Sequence, residues 1–313
     1  MDKEQTLQRM LPGQIFQLLN VSGIEMEKLQ EIRMNVGQPL LLKYDGEEIS
    51  LDTQGRKVRE LKRAYRITEA QVKETFEFMC CHSVYAYEEE IRQGFLTVEG
   101  GHRIGIAGQA VWEQGKIRQL KYISALNIRL ASERVGSAKG VLPKLYEQGM
   151  FCHTLLLGPP CCGKTTLLRD CIRMLSEGSE GQAGVRVGVV DERGEIASCY
   201  RGIPQNHLGS RTDVLDRVPK PQGISMLIRT MTPSVIAVDE IGTREDMDAL
   251  MEASLSGCRI LATIHGTNVD EVFSRPMLSG IALEKFFQRF VVLNREEPGK
   301  VQGIYNYKKE KLW

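Results

Sequence analysis

The second half of the chain alternates short, fully apolar runs with helical segments. In order, these are TLLLG, TTLLRDCIRMLSE, VRVGVVD, ISMLIRTM, SVIAVDE, MDALMEASLSG and RILATIH. A strand covered on both faces is apolar at nearly every position, and intervening helices supply the crossovers that parallel strands require. The pattern predicts an α/β domain with a mainly parallel sheet over residues 139–313.

The first half has a different pattern. After a helical opening, EIRMNVGQPLLLKYDGEEISL is typical of strands joined by turns at Gly37-Gln38-Pro39 and Asp45-Gly46. Thr68 is an N-cap candidate for a helix over TEAQVKETFEFMCC. Alternating strands separated by glycines follow, as far as a linker with the sequence RVGSAKG. We predict a smaller α+β domain over residues 1–138.

Composition narrows the setting. The 313 residues suffice for two domains with hydrophobic cores, and a net charge of +1 gives no general attraction for nucleic acid. The opening MDKEQTLQRM lacks the apolar core of a signal peptide, and no apolar run approaches the roughly 18 residues of a membrane span. The eight cysteines form no C-x-x-C pair. We expect a cytoplasmic protein that reaches membranes only through partners.

The segment GPPCCGKTT matches the phosphate-binding loop pattern G-x-x-x-x-G-K-[ST], with an apolar strand before it and a helix after it. Backbone N–H groups of such a loop point at phosphates, the lysine reaches the β- and γ-phosphates, and the hydroxyl ligates Mg²⁺. The pattern therefore predicts a RecA-like P-loop domain that binds a nucleoside triphosphate with Mg²⁺. No base-contacting motif distinguishes ATP from GTP. The predicted nucleotide-binding residues are Gly158, Pro159, Pro160, Cys161, Cys162, Gly163, Lys164, Thr165 and Thr166.

Cys161 and Cys162 allow two interpretations. They could form a redox-sensitive site, or they could be small residues that are tolerated because the backbone binds the phosphates. The second is favoured, because a reactive thiol needs exposure as well as a lowered pKa.

An acidic pair, Asp239-Glu240, ends the apolar run in PSVIAVDEIG. An aspartate at the end of a strand beside a P-loop is placed to hold Mg²⁺, and the next glutamate to orient or deprotonate the attacking water. We predict Thr165 and Asp239 as metal residues and Glu240 as the catalytic base, and hence hydrolysis rather than binding alone.

Two further strand ends carry polar groups. VGVVDERGEIA ends in Asp191, Glu192 and Arg193, and RILATIHGTN carries Thr263, His265 and Asn268. In open parallel sheets the ligand crevice lies outside the carboxyl ends of the strands. We therefore add Asp191, Glu192 and His265 to Lys164 and Glu240 as predicted catalytic residues, with His265 as a γ-phosphate sensor.

Together the P-loop, VVDERGEI, VIAVDEIG and ATIHG resemble the ATPases of the type II/IV secretion superfamily. A finer resemblance to the stage III sporulation protein AA family spans most of the chain. Its segments are EIRMNVGQPL, VEGGHRIGIAG, LNIRLA, GPPCCGKTTLLRD, VVDERGEIASCYRGIPQN, RTDVLD and LIRTMTPSVIAVDEIG.

This resemblance implies an ATPase of endospore-forming bacteria that energises a secretion-like channel between mother cell and forespore. It also implies a hexameric ring on the mother-cell side, attached peripherally to membrane-embedded channel subunits. Cys161, where the family often has glycine, departs from the pattern but leaves the Lys164 and Thr165 chemistry unchanged.

Ring ATPases commonly complete a neighbour's site with an arginine. The candidates are Arg103, Arg129, Arg193, Arg211 and Arg229, and the sequence does not choose among them.

Two other functions stay open. One is a nucleic-acid-dependent ATPase, which uses the same kind of core but is disfavoured by the balanced charge. The other is a nucleotide-gated scaffold that assembles a channel without rapid turnover, against which Glu240 argues. An ABC transporter subunit is disfavoured, because ASLSG follows the acidic pair instead of preceding it.

Overall fold

A computed structural model describes residues 3–81, 83–113, 115–131, 134–179, 181–274 and 286–313. The chain divides into two units, Met1–Ser132 and Glu133–Trp313. Within these described ranges, no helix is both long enough and apolar enough to cross a membrane.

The first unit is built on an antiparallel sheet. Its strands are β1 (Leu29–Asn35), β2 (Leu41–Tyr44), β3 (Glu47–Leu51), β4 (Lys57–Val58), β5 (Phe95–Val98), β6 (His102–Glu113) and β7 (Lys116–Arg129). Their order is β4-β3-β2-β1-β7-β6-β5, and every neighbouring pair is antiparallel. The helices are α1 (Lys3–Met10), α2 (Gly13–Val21), α3 (Glu69–Met79) and α4 (Glu88–Arg92).

Local chemistry sets the boundaries in this unit. Gly37 and Gly46 turn the chain between strands with φ of 73° and 85°, a region where glycine has no side chain to clash. Thr68 caps α3 by accepting a hydrogen bond from the Gln71 N–H, and the Gln71 side chain accepts one from the Thr68 N–H in return. This reciprocal capping box satisfies two helix donors and confirms the N-cap predicted at Thr68.

The second unit carries a mainly parallel sheet. Its main strands are β10 (Thr154–Gly158), β13 (Val187–Asp191), β14 (Thr212–Asp216), β15 (Val235–Val238), β16 (Arg259–His265), β17 (Arg289–Leu293) and β18 (Val301–Asn306). Their order is β14-β13-β15-β16-β10-β17-β18, and only the β17–β18 pair is antiparallel among these described strands. Two short hairpins are β8 (Tyr146–Glu147) with β9 (Met150–Phe151), and β11 (Gly178–Ser179) with β12 (Gln182–Ala183). The helices are α5 (Lys164–Glu177), α6 (Lys220–Thr230), α7 (Arg244–Leu255) and α8 (Val269–Phe273).

Both faces of this sheet are buried. Alternate residues of β10 enter different cores: Leu156 packs in a cluster with residues of α5, whereas Leu155 and Leu157 pack in a cluster with residues of α6 and α7. The α/β fold class is therefore confirmed. β14 lies at the sheet edge with all five residues half-buried, which explains why it carries no continuous apolar run.

The buried leucines of β10 should dominate the stability of the second unit. Leu156 is fully buried, so Leu156→Ala removes packed methyl groups and leaves a cavity. We expect it to lower the free energy of unfolding by about 2–5 kcal/mol, measured by urea denaturation. Leu255→Ala is the matched control, since Leu255 is 90% exposed, and it should change stability by less than about 0.5 kcal/mol. Equal effects of the two changes would contradict this account of the core.

Candidate nucleotide-binding site

Four parallel strands deliver the predicted site residues to one edge of the second sheet. β13, β15, β16 and β10 are consecutive neighbours, and each pair runs parallel. Their carboxyl ends therefore lie side by side. Asp191 and His265 are the last residues of β13 and β16, and Asp239 and Glu240 follow β15 directly. The P-loop begins at Gly158, the last residue of β10.

The P-loop closes onto the start of α5 at Gly163. This residue is the N-cap of the helix and has a φ of 95°. A Cβ atom at this position would lie 2.9 Å from the Gly299 nitrogen, so close approach as well as φ requires glycine. Gly299 in turn donates its N–H to the Cys162 carbonyl at 2.8 Å. The segment between β17 and β18 thus packs against the P-loop at Cys162 and Gly163.

Lys164 is the first residue of α5, and its ammonium group is buried in the loop. It donates to the carbonyls of Gly158 and Pro159, both at 2.9 Å, and lies 3.3 Å from His265 Nδ1. The prolines cannot donate N–H groups, but the Pro159 carbonyl helps to position the lysine. The ammonium is therefore held at the carboxyl end of β10, within the P-loop.

Thr165 connects the P-loop helix to the acidic strand end. Its hydroxyl donates to Asp239 Oδ2 at 2.7 Å. The other oxygen of Asp239 accepts a hydrogen bond from the Thr263 hydroxyl and one from the Glu240 N–H at 3.1 Å. A hydroxyl and a carboxylate oxygen are the hard oxygen donors that Mg²⁺ prefers, so the chemistry of this pair fits the predicted ion.

Glu240 is held from two sides. His265 Nε2 lies 2.9 Å from its Oε1, and Arg193 forms an ion pair with its Oε2. The backbone of Glu240 has a φ of 49°, in a left-handed region that costs a residue with a side chain about 1–3 kcal/mol. Such strain at a polar strand end is typical of functional sites. Three successive polar contacts therefore connect Lys164 to His265, His265 to Glu240, and Glu240 to Arg193.

The two cysteines of the loop differ in environment. Cys161 is exposed and has a φ of 61°, whereas Cys162 is buried against Gly158, where a Cβ would lie 2.4 Å from its sulfur. Burial raises the pKa of the Cys162 thiol, and the nearby Lys164 ammonium opposes this shift. A protonated, buried thiol is unreactive, which supports the interpretation of Cys162 as a small packing residue.

Asp191 is directed into its own loop. Its carboxylate accepts backbone N–H groups of Glu195 at 2.8 Å, Ile196 at 3.0 Å and Ala197 at 2.7 Å. Burial raises the pKa of this carboxyl, and the three N–H donors oppose the shift. These contacts indicate that Asp191 shapes the segment that carries Glu192 and Arg193.

Glu192 has a partner outside the predicted set. It forms an ion pair with Lys220, a buried lysine at the start of α6, whose Nζ also lies 4.0 Å from Asp246 Oδ2. Asp246 caps α7 through the N–H groups of Gly242 and Thr243. Sequence reasoning missed Lys220 and Asp246, because neither lies in a recognisable motif.

The remaining polar residues have identifiable partners. Asn268 caps α8 by accepting from the Glu271 N–H at 2.8 Å. Arg211 donates to the Ser176 carbonyl at 2.9 Å, and Arg229 to the Ser225 hydroxyl at 2.5 Å.

In the first unit, Arg103 and Arg129 are cross-strand neighbours on β6 and β7. The guanidinium of Arg103 lies 4.1 Å from the Phe95 ring centre, and Arg129 lies 3.8 Å from Glu31. Of the five arginines, the structure brings Arg193 to the Lys164–His265–Glu240 cluster.

Comparison with known sequences gives a match along the chain. A family model described as "Sporulation stage III, protein AA" matches residues 1–312. Stage III sporulation protein AA of Bacillus subtilis (strain 168) is 40% identical over 280 residues, which cover 89% of this chain and 87% of that protein.

Solved structures share the fold at low sequence identity. The ATPase DotB of Legionella pneumophila is 16% identical with a TM-score of 0.58, covering 89% of this chain and 76% of DotB. The pilus retraction motor PilT, crystallised with ADP, is also 16% identical, with a TM-score of 0.56 and the same coverage. At this identity the likeness establishes the fold alone, which agrees with the predicted RecA-like class.

The contacts of Asp191 generate a stability prediction. Asp191→Ala leaves the N–H groups of residues 195–197 without their acceptor, so we expect a loss of about 3 kcal/mol in the free energy of unfolding. Urea denaturation measures it. Asp248→Ala is the control, because the Asp248 side chain is 60% exposed and its ion pair with Arg244 is long, at 4.0 Å. This change should lower the free energy of unfolding by less than about 0.5 kcal/mol. Unchanged stability with abolished turnover would instead assign Asp191 a direct catalytic role.

Proposed function

The chain belongs to the Sporulation stage III, protein AA family, and we propose that it is an ATPase that energises a secretion-like channel between mother cell and forespore. One observation carries the enzymatic part. The Thr165 hydroxyl, on the first turn of the P-loop helix, donates to Asp239 at 2.7 Å, and the adjacent Glu240 is linked to Lys164 through His265. Binding and water-activating groups are thus adjacent.

Nucleotide binding would begin at the P-loop. The N–H groups at the start of α5 and the ammonium of Lys164 supply positive charge toward the phosphates, and Thr165 with Asp239 would hold Mg²⁺. When bound there, the ion would supply positive charge against the phosphate oxygens. PilT, which has the same fold, was crystallised with ADP, and this supports a nucleotide as the ligand.

Hydrolysis would then depend on Glu240. Its carboxylate can accept a proton from, or orient, a water molecule that attacks the terminal phosphate. In the structure both of its oxygens are engaged, one by His265 and the other by Arg193. Because His265 also contacts Lys164, a phosphate that attracts Lys164 would shift His265 and free Oε1 of Glu240, while Arg193 continues to hold Oε2.

We infer further that the chain works as a homo-oligomer, with a hexameric ring as the expected form, on the mother-cell side of membrane-embedded channel subunits. The fold shared with DotB, an ATPase, and with PilT, a pilus retraction motor, supports this inference. In such a ring an arginine of one subunit would complete the site of the next.

Substitution of the proposed base tests the enzymatic assignment. Glu240→Gln keeps the shape of the side chain but removes its ability to accept a proton, so we expect turnover to fall about 10²–10⁴-fold while ATP affinity changes little. Phosphate release and equilibrium binding of ATP measure the two effects. The control is Glu245→Gln, an exposed glutamate on the first turn of α7, which should keep wild-type turnover.

If Glu240→Gln hydrolyses ATP at the wild-type rate, Glu240 is not the base. If the wild type binds ATP without hydrolysing it at any protein concentration, the scaffold function replaces the ATPase. Salt-sensitive stimulation of turnover by DNA or RNA would favour the nucleic-acid-dependent alternative.

The ring is tested by mass and turnover together. If a neighbour completes the site, turnover per subunit should rise with protein concentration, in step with the oligomer mass measured by light scattering with and without ATP. Full turnover in a monomer would contradict the ring.

A further inference from the structure

The strands β6 and β7 extend beyond their neighbours in the first sheet. β1 pairs with β7 only over residues 125–129, and β5 pairs with β6 only over residues 102–105. β6 and β7 continue to pair from Gln109–Lys121 to Glu113–Lys116. At a rise of about 3.3 Å per residue, this two-stranded ribbon reaches about 13 Å past the shared sheet. We call residues 109–113 and 116–122 the ribbon.

A register irregularity in the β6–β7 ladder, between Ala107 and Gln109, separates the ribbon from the sheet, and such bulges bend a strand. A Cβ atom on Gly108 would lie 2.8 Å from the Lys121 carbonyl and 2.9 Å from that of Tyr122, so the position admits only glycine. Opposite it, Tyr122 has a φ of 47°, an uncommon conformation for an aromatic residue, and is 79% exposed. The bend therefore sets the direction of the ribbon and leaves an aromatic ring in solvent at its base.

The two faces of the ribbon differ in chemistry. Paired residues of an antiparallel ladder share a face, and alternate residues of one strand do too. Along β6 this rule places Ala110 and Trp112 on one face, and their cross-strand partners are Leu120 and Ile117, so these four residues are all apolar. A register shift between Val111 and Trp112 leaves Arg118 as an extra residue on β7 and keeps Ile117 opposite Trp112. The opposite face carries the pairs Gln109–Lys121, Val111–Gln119 and Glu113–Lys116. Trp112 is 66% exposed.

We propose that the ribbon is a membrane-contacting element that places Trp112 and Tyr122 among the headgroups of an anionic bilayer. Tryptophan and tyrosine prefer this depth, because each combines an apolar ring with a polar tip. This goes beyond the expectation that the protein reaches membranes only through partners. It is also independent of whether the chain hydrolyses ATP.

The charge of the ribbon selects the kind of bilayer. Arg118 and Glu113 form an ion pair at 2.6 Å, which leaves Lys116 and Lys121 as its excess charge. A basic residue close to an anionic surface gains about 1 kcal/mol. Since the whole chain carries a net charge of only +1, this excess is a local feature.

The small size of the apolar face disfavours a second copy of this chain as its occupant. The face offers four side chains, Ala110, Trp112, Ile117 and Leu120, whereas a stable interface between proteins engages about 20–30 residues on each side. A bilayer requires no complementary pocket, so a few interfacial side chains with cationic neighbours are enough for reversible binding.

The two tryptophans of the chain give the proposal a direct probe. In a Trp313→Phe background of the full chain, Trp112 is the sole tryptophan, and its emission reports on the ribbon. We expect the emission to move to shorter wavelength, and the protein to sediment, with vesicles of phosphatidylglycerol and phosphatidylcholine. Vesicles of phosphatidylcholine alone should have a much smaller effect.

Variants separate the two contributions. Trp112→Ser with Tyr122→Ser should abolish sedimentation, and Lys116→Gln with Lys121→Gln should weaken partitioning to anionic vesicles by about 30-fold. Tyr85→Ser is the matched control: Tyr85 lies in the same unit and is 91% exposed, but it is outside the ribbon, so binding should be unchanged. Circular dichroism checks that each variant is folded.

Three results would overturn the proposal. The first is a Trp112 emission wavelength that does not change when anionic vesicles are added. The second is emission that shifts with protein concentration alone, accompanied by a mass that falls in Trp112→Ser, which assigns the face to a second copy. The third is a response of Trp112 to single-stranded DNA but not to vesicles.

Discussion

The parallel pairing of β10 with β16, and of β16 with β15 and β15 with β13, is the constraint on which the site depends. In a parallel ladder all carboxyl ends lie on the same edge, and here the register sets Gly158 opposite His265. Residues separated by up to about a hundred positions in the chain therefore meet without any one loop reaching far. The two apolar clusters that cover the sheet hold this register, because a slip of one residue would move the side chains fitted to one cluster into the other.

The polar contacts at this edge form a connected set. Lys164 contacts His265, His265 contacts Glu240, and Glu240 pairs with Arg193, so the residues proposed for phosphate binding and for water activation share a histidine. In a second group of contacts, the hydroxyls of Thr165 and Thr263 donate hydrogen bonds to Asp239 and so connect α5, the end of β15 and β16. Asp191 is not part of either group, since its carboxylate accepts hydrogen bonds from backbone N–H groups of the loop that follows β13. A ligand acting on Lys164 can therefore influence Glu240 without touching Asp191.

The first unit follows a different principle. Every neighbouring pair in its sheet is antiparallel, so two strands that follow each other in the chain can be longer than the strands beside them and project as a ribbon. In the parallel sheet of the second unit, by contrast, the catalytic candidates are confined to strand ends. The Lys164–His265–Glu240 cluster therefore lies in the second unit, and the first unit carries the ribbon with Trp112 and Tyr122 exposed.

The sequence by itself determined the α/β class, the P-loop, the Thr68 cap and the apolar strands of the second unit, because each depends on a local pattern of burial or on backbone groups near in sequence. It also singled out Asp239, Glu240 and His265 as polar ends of apolar runs. Tertiary structure alone decided which side chains meet. Glu192 turns to Lys220, Arg193 reaches Glu240, and Asp191 folds back on residues 195–197. Strand order and side-chain direction settle such pairings, and neither is encoded in a local window. The exposed face of the ribbon was hidden for the same reason, since alternation alone does not reveal which strands lack neighbours.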